Sequence, residues 1–565
     1  MLRIAARAAA PAAALIAMLA VPAPGAVAAA PGNPICARIG QGLTVSAGAR
    51  MFCFGAQRSG VAPNVTGAPP PAAFGTNVNA ADPREDVTPS GVRAFGQSET
   101  SIAASGQYVV EAWNDATGLF APCPSPLHKE ERTGFAVSGD AGASFVDLGG
   151  VPNDCRTGLR LLGDPGVEAW HTPGAGDVFY ITSLYNQNDG TGRSFLALNA
   201  CQAGGGAAAP RLACSQPIKI AQSTQCDESE FFCSFLDKPF LAIDRARGRL
   251  YVSYTEFGLT TATASGEIEL AACDIGTAAG ATGPAGGTPR RPVCRPGAVP
   301  RPYATIARGA ACQQTGAYPA VDPGTGDVYV AWEFNVGSNF VGPDVCLSQP
   351  TRNIVAHVAR RCLVLAAASP CRSFARARVG IVSMAAALIP GYTRSPMNDF
   401  PRIAVARSAH TVTIVWNDAR AHPLGDIVMQ SYALGNLARV QRRPVRVNAD
   451  VGGAHFLPAL RTPNGQGRLP ISWYSRSSPN TAVTDVRAAL DVDPRATAPP
   501  ASSTLVTTGP SDWNSVSSDI VPNFGDYTDN YAITAPSPFV FRDYVAWSDG
   551  RLGVPQPFSA GLSIG

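Results

Sequence analysis

Five acidic residues stand at the heads of similar segments along this chain: Glu99, Asp164, Asp237, Asp399 and Asp526. If those segments are strands packed around one axis, the carboxylates form a ring at one end of it. Such a ring has the oxygen ligands that Ca²⁺ prefers, although no cofactor is otherwise called for. Alternatively, two of the carboxylates serve as acid and base on a glycoside. In a third reading each accepts hydrogen bonds from backbone amides of its own or a neighbouring segment. Departures from the repeat are more informative, because a site is asymmetric. Arg402 follows Pro401 where other segments carry small or apolar residues, and it can grip a carboxylate or a sugar hydroxyl. Tyr527 follows Asp526 and can act as nucleophile or stacking platform. His455 takes the place of an acidic opener. Arg402, Tyr527 and Asp526 are the catalytic candidates. Glu99, Asp164, Asp237, Asp399 and His455 are the ligand-binding candidates.

The elements that must position these residues recur. From Asn398 to Arg420 the chain reads NDFPRIAVARSAHTVTIVWNDAR, two β-rich runs joined by a polar turn, which predicts an antiparallel hairpin. Similar hairpins end at Trp113, Tyr180, Tyr254, Trp332, Trp416, Trp473 and Trp547. The intervals are 67, 74, 78, 84, 57 and 74 residues. A hairpin cannot bury its own apolar face, so the copies must pack on one another. Radial packing of small antiparallel sheets gives a β-propeller. Seven four-stranded blades are favoured, with six as the alternative. In the copy opening at Asp399 the strands are 402–406, 412–416, 427–432 and 444–448. The last copy is one strand short, and residues 86–93 are expected to complete it and join the two ends of the chain.

Composition narrows the class. Only 15% of the 565 residues are charged, and 57 glycines and 49 prolines fit a turn-rich all-β protein. The net charge of +3 with no basic run beyond a Pro-rich loop argues against nucleic acid. Residues 1–28 read as a secretory signal, with Arg3 and Arg7 before an apolar run and Ala26-Val27-Ala28 at the cleavage site. Cys36 lacks a lipobox, and no later run approaches the roughly 18 apolar residues of a membrane span. Residues 29–84 form a Gly/Ala/Pro-rich extension, and 85–565 the propeller. Fourteen cysteines in a secreted chain imply disulfides. Nearest-neighbour pairing gives 36–53, 123–155, 201–214, 226–233, 273–294, 312–346 and 362–371. The protein is therefore expected outside the cell.

One segment, Ser138-Gly-Asp140-Ala-Gly142-Ala-Ser144-Phe145, matches the Asp-box pattern. With Ser98-Glu-Thr-Ser-Ile-Ala103, Trp416-Asn-Asp-Ala-Arg420, Gly525-Asp-Tyr-Thr528 and Trp547-Ser-Asp-Gly-Arg551, it makes the chain resemble the sialidase-like superfamily of secreted Asp-box (BNR) propellers. The resemblance spans roughly residues 85 to 565. It implies a ligand that is a glycan or an extracellular surface. It departs from sialidases, which have six blades and an Arg-Ile-Pro motif that this chain lacks. The expected function is binding without catalysis. The alternatives are an exo-glycosidase acting on sialic acids, and a structural scaffold with a closed axial channel. Two arginines, a tyrosine and two carboxylates converging in one axial pocket would favour the glycosidase.

Overall fold

The computed structural model describes residues 75–564, except 85, 88–93, 121–130, 173–175, 187–193, 228–231, 259–264, 277–291, 296–303, 311–312, 336–350, 364–373, 383–388, 394–399, 423–424, 464, 466, 479, 501 and 535–540. The expected signal peptide, Asp399 and most of the stretch 86–93 lie outside the described residues.

Seven antiparallel sheets form a propeller ring. The innermost strand of each blade comes first in the chain. These strands are Gln97–Ser105 in blade 1, Gly166–Thr172 in blade 2, Phe235–Asp244 in blade 3 and Gln314–Val321 in blade 4. They continue with Arg402–Ala406, Ala454–Ala459 and Asp529–Thr534 in blades 5 to 7. Every second strand carries one of the repeating aromatics, and all seven are buried. The second strand of blade 5, Thr411–Asp418, shows why the runs are nearly all apolar. Trp416 and Ile414 pack toward blade 4 while Val415 packs toward blade 6, so both faces of each blade are covered. Trimming one such tryptophan to alanine costs about 3–5 kcal/mol.

The ring closes between chain ends. Val78–Asn79 pairs with Gln556–Ile564 and gives blade 7 its fourth strand. The closing strand thus lies upstream of the expected 86–93. A two-residue strand is short, and side chains reinforce it. Asn77 donates to Val506 O (2.8 Å) and accepts from Thr508 N (2.6 Å) and Arg551 Nη2 (2.9 Å). Asp86 accepts from Gln97 of blade 1 and Gln556 of blade 7. This tie protects what would otherwise be an open sheet edge.

The turn at 138–145 joins the third and fourth strands of blade 1. Asp140 accepts from Ser144 N (2.9 Å) and Ser144 Oγ (2.6 Å), and Ala141 and Gly142 have φ of 61° and 84°. Two expected disulfides are present, Cys201–Cys214 and Cys273–Cys294. Cys226 and Cys233 face each other across a two-residue ladder, and Cys233 is disulfide-bonded.

Candidate functional site

The inner strands carry a common irregularity that decides what reaches the axis. Pairing with the second strand slips at Ser98/Ser101, Asp237/Phe240, Thr315/Tyr318 and Phe456/Ala459. At each slip one residue adopts a left-handed conformation: Glu99 (φ 55°), Lys238 (57°), Gly316 (66°) and Leu457 (48°). Asp164, ahead of the blade 2 strand, does the same (54°). Non-glycine residues pay roughly 1–3 kcal/mol for this geometry. A bulge of this kind re-aims its side chain, and here Glu99, Asp164 and Lys238 meet.

Lys238 Nζ lies 3.0 Å from Asp526 Oδ2, 3.4 Å from Glu99 Oε1 and 3.4 Å from Asp164 Oδ2, and all four side chains are wholly buried. They come from blades 3, 7, 1 and 2 and therefore meet across the ring. Asn114 Nδ2 donates to Glu99 Oε2 (2.8 Å), and Asn114 Oδ1 accepts from Asp164 N (2.5 Å). Asp526 N donates to Glu99 Oε1 (3.0 Å), and Tyr392 OH donates to Asp526 Oδ1 (3.0 Å). Burial, then the Asp164 charge, holds Glu99 well above the usual carboxylate range. Burial alone would lower the Lys238 pKa, but Asp164, Asp526 and Glu99 outweigh it and push it up. Glu99, Asp164 and Asp526 thus surround the protein's own ammonium.

Next along the axis lies an aromatic layer. The Arg402 guanidinium sits 3.7 Å from the Tyr318 ring, 5.4 Å from Phe240 and 5.5 Å from Tyr527. It donates to Pro458 O (3.0 Å) and Thr528 O (2.9 Å). Burial lowers its pKa to about 9. Tyr527 OH donates to Pro165 O (3.3 Å), and burial, then Asp164 and Glu99, raises its pKa well above that of a free phenol. Such a hydroxyl resists ionisation and is a poor nucleophile.

A third layer follows, about four residues or roughly 13 Å along the strand. Glu168 Oε1 accepts from Arg245 (2.6 Å) and from the Tyr531 hydroxyl, and Oε2 accepts from Arg461 (3.0 Å). Arg461 also pairs with Asp529 (2.6 Å) and donates to Ile102 O and Val167 O. Arg245 reaches Ala169 O (2.6 Å) and Pro463 O (3.0 Å). Burial would raise the Glu168 pKa, but the two arginines outweigh it and hold the carboxylate below its usual range. A cavity of about 30 Å³ adjoins this layer, lined by Glu168, Arg245, Arg461, Pro319, Ile403 and Val405 among others. That volume holds a few water molecules and no sugar ring.

The sequence candidates therefore separate. Glu99, Asp164 and Asp526 come together, and Arg402 and Tyr527 stack in the next layer. Asp237 does not join the Lys238 ion pairs at contact, although its charge bears on Lys238 and Tyr527. His455 lies apart, with Nδ1 3.2 Å from Ser475 Oγ and Nε2 3.4 Å from Asp450. Arg420 and Arg551 pair with Asp418 and Asp549 two residues earlier. Arg476 donates to Thr484 Oγ1 instead of pairing with an aspartate. Sequence reading missed Lys238, Glu168, Arg245, Arg461, Asp529 and Tyr531. Their signal was a polar or charged residue within, or just beyond the end of, an otherwise buried inner strand.

No protein-family model matches the chain, and no curated protein does. Among solved structures it is similar to the Hadza microbial sialidase Hz136, at 11% identity and a TM-score of 0.33, covering 83% of this chain and 66% of that one. It is also similar to a protein of unknown function from Dyadobacter fermentans DSM 18053, at 9% identity and TM-score 0.39, covering 88% and 100%. A third is the Trypanosoma rangeli sialidase bound to the inhibitor DANA, at 7% identity and TM-score 0.32, covering 86% and 57%. The chain thus spans less than two thirds of either sialidase. At these scores the likeness carries no argument about activity.

Proposed function

We propose that this chain is a secreted, sialidase-like propeller that binds glycans or glycan-bearing extracellular surfaces without turning them over. The observation that carries this reading is that the axial carboxylates of the Lys238 and Glu168 clusters are paired with cations inside the protein. Glu99, Asp164, Asp526, Glu168 and Asp529, which might act as acid or base, already share a buried ammonium or guanidinium with their neighbours. The cavity beside them is too small for a substrate. Ligand contact then falls to the loops at the end where the inner strands begin. Disulfides such as Cys201–Cys214 fit an oxidising, extracellular setting. A glycan array probed with the full chain tests the reading. Binding to a defined subset of glycans supports it, and no binding to any glycan leaves the scaffold reading in its place.

One observation favours the exo-glycosidase instead. Two arginines (Arg245, Arg461), a tyrosine (Tyr531) and two carboxylates (Glu168, Asp529) converge beside the axial cavity, and the tyrosine hydroxyl is bonded to the glutamate. In that reading Glu168 would draw the proton from Tyr531 as its oxygen bonds to the anomeric carbon, the glycosidic C–O bond would break and the departing oxygen would take a proton from water, with the arginines holding an acidic sugar. The strongly raised Tyr531 pKa, caused first by burial, weighs against it.

A further inference from the structure

The face opposite the loops carries a charge asymmetry that the net charge of +3 conceals. In a four-stranded antiparallel blade, the turns between strands one and two and between strands three and four emerge at the same end. For blades 3 to 6 these turns include residues 244–249, 274–276, 321–328, 358–363, 406–411, 433–445, 459–469 and 491–496. Apart from Arg245 and Arg461, which turn to the axis, these stretches hold ten arginines and six aspartates, with no lysine, glutamate, phenylalanine, tyrosine or tryptophan. The described turns at the same end of blades 7, 1 and 2, with the strand ends beside them, hold two arginines (Arg211 and Arg542) against three aspartates (Asp140, Asp147 and Asp177).

The arginine-bearing turns are one continuous surface. Arg247 of blade 3 donates to Gly324 O of blade 4 (2.9 Å). Arg407 of blade 5 pairs with Asp322 of blade 4 (2.5 Å), and its amide donates to Gly465 O of blade 6 (3.1 Å). Arg495 of blade 6 donates to Ala409 O of blade 5 (2.7 Å), and Gln441 of blade 5 donates to Pro494 O of blade 6 (2.6 Å). The aspartates are largely spent. Asp244 and Asp322 are buried against Arg247 and Arg407, and Asp327 takes the Arg360 amide and His357. Arg360, Arg361, Arg442 and Arg443 are exposed, with no carboxylate at ion-pair distance among the described residues.

We infer that this face of blades 3 to 6 docks an anionic polysaccharide, a chain of uronate- or sulfate-bearing sugars. The inference goes beyond the glycan-binding reading above, which places contact at the loops, and assigns a separate ligand class to the opposite face. Guanidinium forks suit carboxylate and sulfate, which they bind bidentately. An array of fixed charges across four blades fits a repeating anionic chain better than a single small anion. Among the described residues of these turns the one phenylalanine, tyrosine or tryptophan side chain, Phe374, packs on the core, which leaves no exposed stacking platform of that kind for single-stranded nucleic acid.

The test measures binding of the full chain to polygalacturonate, to a sulfated polysaccharide, to a neutral polysaccharide of matched length, to the array-selected neutral glycans and to duplex DNA. Measurements run between 50 and 200 mM salt. The variants are Arg360→Glu with Arg361→Glu, Arg442→Glu with Arg443→Glu, all four together, and Arg211→Glu as a control on the other half of the face. The inference expects binding to at least one anionic polysaccharide and not to the matched neutral one. It expects weakening with salt, a loss of tenfold or more in the fourfold variant, and no change in R211E. Polyanion binding that survives the fourfold reversal overturns the inference, as does DNA binding tighter than either polysaccharide. If neutral array glycans still bind in those cases, the general glycan-binding reading stands alone. If no glycan of any kind binds, that reading fails as well.

Discussion

The axis and the arginine face of blades 3 to 6 hold similar side chains and use them in opposite ways. On the axis, Lys238, Arg245 and Arg461 are matched to carboxylates at 2.6–3.4 Å, buried or nearly so. On the face, Arg360, Arg361, Arg442 and Arg443 stand in water without such partners. Buried charges must be compensated within the protein, because desolvation otherwise exceeds what the fold can supply. Exposed charges need no internal partner and stay available for an external one. Charge on the axis therefore reads as architecture, and charge on the face as recognition.

The sharpest way to break this contrast is Lys238→Met. It leaves Glu99, Asp164 and Asp526 facing one another in the core, and a loss of about 3–5 kcal/mol is expected in denaturant unfolding. Acid should partly rescue the variant by protonating those carboxyls. A loss below about 1 kcal/mol would show that the cluster is solvated and open to ligands.

A related effect comes from Glu111, a buried carboxyl on blade 1. Burial first, then the Asp529 charge, raises its pKa to about 8. A raised acid pKa means the folded state holds the proton more tightly than the unfolded chain. Its contribution is complete below the unfolded value near 4.5 and is lost as pH rises through about 8. The sum is of order 3–5 kcal/mol for this one group. Glu111→Gln should therefore flatten the fall in melting temperature between pH 5 and 9, a shift read by calorimetry. An unchanged pH profile would refute that assignment.

Smaller still is the staple in blade 2. Replacing Cys201 and Cys214 by alanine opens a loop of 13 residues and should cost about 2–3 kcal/mol. At the bottom of the scale, the fourfold arginine reversal should move stability by less than about 0.5 kcal/mol, because those side chains are exposed. A larger loss would make that face architectural too and erase the contrast.

Much of the fold was legible in the chain. The buried aromatics from Trp113 to Trp547 mark second strands because each must be covered on both sides, which leaves a periodic apolar run. The ring closure was legible in kind but misplaced, because a two-residue strand such as Val78–Asn79 carries no periodicity to read. At the axis, Glu99, Asp164 and Asp526 were visible as a repeated acid. Lys238 was hidden one residue beyond Asp237, because only the bulge tells which of the two turns inward. The arginine face was invisible as a patch. Its members, such as Arg247, Arg360 and Arg495, are scattered over some 250 residues and meet only when the turns of four blades align.

The measurement that bears most directly on the central claim is hydrolysis of fluorogenic sialosides and a panel of other glycosides by the full chain, run beside folded Tyr531→Phe and Glu168→Gln. The internally paired axis predicts no turnover above background in any of the three. Turnover by the parent chain that disappears in Tyr531→Phe, with its fold intact by circular dichroism, would contradict the account and make the third axial layer an active site.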